Sequence, residues 1–132
     1  MVHSSRVRLR LSTISLPVDV GGAAVLDQTV FLSGDLNATG VVIDRATWTV
    51  RSTVDLPDVV GGSGGIVTDA ASIYLPTRGA EQPWNVLVLD AATFEVTDTV
   101  KPLDVNSAAV ADGALWVTHP YTNVLERFDI ER

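Results

Sequence analysis

Residues Asn85 to Val100 read NVLVLDAATFEVTDTV, and residues Gly40 to Val54 read GVVIDRATWTVRSTV. In each, an apolar run ends in Asp, two residues intervene, and a Thr and an aromatic lead into a second, more polar run. One hairpin is therefore written twice. A third version opens at Asn123 as NVLERFDI, and Arg132 is reached before a second strand is written.

The rest of the sequence has the same grain. Short runs of Val, Ile, Leu and Thr are bounded by Gly, Pro, Asp and Asn, with no long helical periodicity, which is the signature of strands. Ala23–Gly34, Ile66–Thr77 and Ala109–His119 align on a tight turn whose aspartates, Asp27, Asp69 and Asp112, stand 42 and 43 residues apart. That period falls in the range of four-stranded propeller blades. Phe31, Tyr74 and Trp116 then occupy one position of the second strand, each between two aliphatic residues. An aromatic in that setting suits a strand covered on both faces by neighbouring blades. The first strands carry small residues, Gly22, Ala23 and Ala24, then Gly64 and Gly65, then Ser107, Ala108 and Ala109, as expected of inner strands crowded near an axis. Third strands are expected at Val41–Asp44, Val86–Asp90 and Val124–Asp129, and fourth strands at Thr49–Leu56 and Glu95–Val100. Asp44 and Asp90 read as turn formers, since an Asp side chain accepts backbone N–H groups two residues on.

This succession of apolar run, Asp-x-x-Thr, polar strand, glycine-rich entry, Asp-containing turn and aromatic strand resembles the YVTN-type β-propeller repeat, with NHL and streptogramin-lyase-like propellers as relatives in style. The likeness spans roughly Arg6 to Ile130. It implies an all-β fold built from blades of four antiparallel strands, about three blades per chain, with repeats near 18–57, 58–103 and 104–132 and an additional strand in 6–17. It carries no catalytic residue across.

Leu11-Ser-Thr-Ile-Ser-Leu-Pro17 matches Arg51-Ser-Thr-Val-Asp-Leu-Pro57 at equal offsets, so the N-terminal stretch reads as a fourth strand placed ahead of the first blade. It is the strand that the third copy lacks. Rings have about four to eight blades, so three cannot close alone. Two readings follow: two chains form a six-bladed homodimer in which each N-terminal strand completes the partner's third blade, or the sequence is the C-terminal part of a longer propeller.

Composition bounds the partners. The 132 residues are 46% apolar and 19% charged with a net charge of −7, a globular balance that argues against gripping nucleic-acid phosphates or an anionic membrane. The absence of cysteine excludes disulfides and thiolate metal sites. No cofactor is expected. The start has no apolar segment of signal-peptide length and nothing reaches transmembrane length, so a soluble, unexported product is expected as written, and an extracellular one if the chain belongs to a longer secreted protein.

Propellers meet ligands at a loop rim, and the loops between second and third strands hold the chemically capable residues. Arg78, Glu81, Trp84, His119 and Tyr121 are the candidate ligand-binding residues, with Trp84 and Tyr121 as an aromatic platform for a glycan, peptide or protein. These loops are also polar simply because they are wet. His119 is the weak candidate for catalysis in a lyase- or hydrolase-like enzyme; with only His3 as a second histidine, a metal site has thin support. A non-enzymatic binding module is the preferred expectation.

Overall fold

The computed structural model describes residues 7–35, 37–57, 59–60, 65–78, 84–102, 105, 107–119 and 122–131, and of Val59, Val60, Arg78 and Trp84 the backbone only. Every regular element among them is a β-strand. In chain order these are β1 (Val20–Val25), β2 (Thr29–Gly34), β3 (Thr39–Asp44), β4 (Thr49–Asp55), β5 (Val59–Val60), β6 (Val67–Thr68), β7 (Ser72–Arg78), β8 (Trp84–Asp90), β9 (Val96–Val100), β10 (Ser107–Ala111), β11 (Ala114–Thr118) and β12 (Leu125–Asp129).

They form three antiparallel sheets. The first is β1-β2-β3-β4, the central one β5-β7-β8-β9 with β6 also on β7, and the third β10-β11-β12. The two hairpins written alike in the sequence fold alike: Val42↔Ser52 is followed by Ile43↔Val50, and Val88↔Asp98 by Leu89↔Val96, so both fourth strands bulge by one residue at the same place.

Strand periodicity explains the packing. Successive residues of a strand point to opposite faces, and the central sheet is apolar on both. Ile73, Leu75, Leu87 and Leu89 join Ala24, Leu26, Phe31, Val42 and Leu56 in a core shared with the first sheet. Tyr74 and Val86 join Val105, Leu115 and Val117 in a second core shared with the third. The expectation of strands covered on both faces therefore holds for the central sheet and is corrected for the third, where Trp116 is only half-buried. The physical reason is position: among the described residues no strand lies beyond that face of the third sheet, and Trp116 is covered instead by the Arg127 guanidinium, 5.2 Å from its ring centre.

Of the expected glycine-rich inner strand, Gly64 lies outside the described residues and Gly65 stands ahead of β6. The inner position of the central sheet is held by two pieces, β5 and β6. Val60 pairs with Thr77 and Val67 with Tyr74, so seven residues of chain advance against three of β7. The two β7 residues left between the pairings are Leu75 and Pro76. Proline has no N–H to strand, which makes Pro76 the natural place to interrupt a ladder.

The third sheet has no fourth strand among the described residues, and β12 leaves one edge open. Residues 7–16 carry no strand pairing either, so the expected N-terminal strand is not part of a sheet within this chain.

Candidate functional site

The rim between second and third strands was the expected ligand face. Arg78 and Trp84 are directly paired at the mouth of the β7–β8 hairpin, so the fold brings their backbones side by side. Glu81 and Tyr121 lie outside the described residues.

His119 stands on the same rim of the third sheet, but turned inward. Leu115 and Val117 face the central sheet, and the strand period carries His119 to the same face one step past the end of β11. Its side chain is 1% exposed, with Nε2 2.9 Å from Oε1 of Glu126. The ring is not angled for a hydrogen bond, and both of its nitrogens are buried without such a partner. Among the described residues the contact reads as a brace between β11 and β12. Among the described residues no cluster of three His, Cys, Asp or Glu is arranged to hold a metal ion.

Position by position, His119 matches Thr77 of the central sheet and Gly34 of the first, each three residues after the aligned aromatic. Thr77 is fully buried, and its hydroxyl is unpartnered, as is Oδ1 of Asn85 directly opposite. At Gly34 no side chain fits, because a Cβ there would collide with the Asn37 carboxamide. That carboxamide donates to the carbonyls of Asp19 (3.0 Å) and Asp35 (3.2 Å) and accepts from Thr39 N–H (3.1 Å). Asn37, one of the polar loop residues, is thus a fastener of its loop.

The opposite rim carries a cleft the sequence reading did not single out. About 480 Å³ in volume, it lies between the first and central sheets, and Asp27, Gln28, Arg51, Asp90 and Phe94 contribute to its wall. Two of its charged residues, Asp90 and Arg51, are engaged at the repeated turns. Asp44 Oδ1 accepts from Ala46 and Thr47 N–H at 2.9 and 3.1 Å, and Asp90 Oδ1 from Ala92 and Thr93 at 2.8 and 3.0 Å, as the Asp-x-x-Thr spacing predicts. Arg51 Nη2 donates to Asp44 Oδ2 at 2.7 Å. That bond, with the Thr47 N–H, holds the Asp44 carboxyl down at about 2, and the Thr93 and Ala92 N–H groups lower that of Asp90. The aromatic that ends each motif closes the turn: Trp48 and Phe94 adopt positive φ and donate their N–H groups to the Asp44 and Asp90 carbonyls. The signal for this rim was in the sequence, in the two repeated turns themselves.

Three four-stranded or nearly four-stranded antiparallel sheets, stacked face to face with small residues along the first strand of the outer two, leave one architecture. The fold is that of β-propeller blades. The propeller expectation is supported by solved structures. A functionally unknown protein from Desulfotomaculum acetoxidans superposes with a TM-score of 0.71 at 18% identity, over 89% of this chain and 39% of that one. BamB from Moraxella catarrhalis, itself a β-propeller, gives 0.56 at 17% identity, over 82% and 32%. At these identities the likeness is one of fold, and the chain spans well under half the length of either protein. No protein-family model matches, and no curated protein matches by sequence.

Proposed function

We propose that the chain is a propeller scaffold of the YVTN type that presents its second-to-third-strand loops to a protein, peptide or glycan, and that two copies close into a six-bladed ring. The observation that carries this reading is the pair of unfinished ends. Val25 of β1 is 62% exposed on the first blade, Val124 and Leu125 are 47% and 56% exposed on the third, and β12 offers an open ladder edge. Unpaired edges and apolar ends invite association. Self-association through a two-fold axis uses both ends of each copy at once and leaves none exposed. The burial of His119 favours binding over catalysis at this rim.

Light scattering tests the ring: a particle of twice 14.0 kDa is expected, and a stable monomer that binds no apolar dye defeats it. The loop rim is tested by retention on glycan and peptide arrays, where Arg78→Ala and Trp84→Ala are expected to abolish capture while leaving the particle mass unchanged.

A further inference from the structure

Beside β12 the interface of the second and third blades opens into a groove of about 330 Å³, with Tyr74, Val100, Leu115 and Phe128 in its wall and Asp98 and Glu131 at its margin. In the first two blades the fourth strand lies against the equivalent side of the third, so this groove lies where a fourth strand of the third blade would stand, and none stands there among the described residues.

The stretch that fits it is residues 7–16. Ile14, Leu16 and Val18 are half-buried and alternate with exposed Thr13, Ser15 and Pro17, the burial pattern of a strand with one face already covered by its own chain. Farther out, Val7, Leu9 and Leu11 are 84%, 92% and 88% exposed. Its backbone has no ladder. Its only charges are Arg8 and Arg10, in a chain whose net charge is −7.

We infer that residues 7–16 of a second copy dock as the fourth strand of the third blade, antiparallel to β12, with Arg8 and Arg10 over the acidic margin of the groove. This rests on the two-copy ring proposed above and specifies its joint. The register follows from the finished blades. Transferring the β3–β4 pairings, bulge included, sets Ile14 opposite Leu125, Thr13 opposite Glu126, Ser12 opposite Arg127, and Arg10 opposite Phe128, with Leu11 as the bulged residue. Directly opposed residues share a face. Phe128 belongs to the core between the second and third blades, so Arg10 is carried to the groove side, where Asp98 stands, and Ile14 to the far side.

The segment does not reach the third blade of its own chain. Only Val18 and Asp19 separate Pro17 from β1, a reach of roughly 10 Å. The chain's own third blade lies two sheet spacings away, on the order of 20 Å. A blade that receives the segment has to abut the first blade, and a partner's third blade does so in a ring.

The chain contains no cysteine, so single-cysteine variants give a clean readout. Mixed and oxidised, Ile14→Cys and Leu125→Cys proteins are expected to form a disulfide-linked heterodimer, because opposed antiparallel residues lie within disulfide reach. Arg10→Glu is expected to raise the dimer dissociation constant roughly tenfold or more, and adding Asp98→Arg to restore it, with far-UV circular dichroism confirming that each variant is folded. A particle of dimer mass that does not cross-link overturns the docking register and leaves the ring standing. A monomer overturns both. A disulfide formed within one chain of the double variant overturns the exchange.

Discussion

Phe31 and Phe94 stack across the boundary between the first and second blades, their ring centres 5.7 Å apart and their planes 14° from parallel. Phe31 comes from the aligned aromatic of one repeat and Phe94 from the Asp-x-x-Thr turn of the next, so the two most recurrent sequence signals meet in one contact. Phe31 is fully buried. Phe31→Ala is expected to cost about 3–5 kcal/mol in urea unfolding, and Phe94→Ala, which removes a half-buried ring at positive φ, distinctly less.

Gly40 gives a sharper test of the same core. A Cβ on Gly40 would sit 2.5 Å from Cζ of Phe31, and a buried ring has nowhere to yield. Gly40→Ala is expected to destabilise by about 1–3 kcal/mol. Gly113→Ala meets no atom but sits at φ +70°, and its cost of about 1–2 kcal/mol is purely conformational. Chemical denaturation of the pair separates crowding from backbone strain.

Asn37 and Gly34 should be coupled. Gly34→Ala alone forces the carboxamide out of its hydrogen bonds, whereas in an Asn37→Ala background that clash is gone and only the Thr39 carbonyl oxygen, 2.7 Å from the new Cβ, has to give. The double variant is expected to be more stable than the sum of the single losses, by about 0.5–3 kcal/mol in a double-mutant cycle.

The Asp44 turn sets an acid limit. Its folded-state carboxyl titrates near 2 against an ordinary value of 3.8, because Arg51 and the Thr47 N–H favour the charged form. The stabilisation is therefore complete above about pH 4 and is lost as the pH falls toward 2. Asp44→Asn is expected to remove this segment of the pH–stability profile, and carboxyl NMR should show the low titration directly. Salt should weaken the Arg51 contact, since both partners are solvent-exposed in part.

The His119–Glu126 contact joins a buried ring to a carboxylate that is 24% exposed. Glu126→Ala is expected to cost about 1 kcal/mol or less, while His119→Leu, which removes two buried nitrogens that lack a hydrogen-bond partner, should be neutral or stabilising. Thermal unfolding checks both.

The blade pattern was legible because it rests on short-range rules: period-2 alternation in Ile73, Tyr74 and Leu75, and Asp side chains capping their own turns at Asp44 and Asp90. The split of the inner strand was not, because where a ladder breaks is decided by where β7 can dispense with a partner. Pro76 was the available signal. His119 was read as a rim residue since it follows a strand, yet extending the alternation of Leu115 and Val117 by one step places it inside. Of the loop candidates, only the pairing of Arg78 with Trp84 could be located from both sides of a hairpin; the polarity of a loop says that it is wet and leaves open what it touches.

At the position shared by Gly34, Thr77 and His119, the first blade is filled by a loop carboxamide, the second by a buried hydroxyl, and the third by an imidazole braced on Glu126. The repeats share a ladder but not a lock. A blade of this protein is consequently no interchangeable cassette: shuffling or duplicating one to build a larger ring will succeed only when the strand is transplanted together with the residue that closes its end, Asn37 with the first and Glu126 with the third.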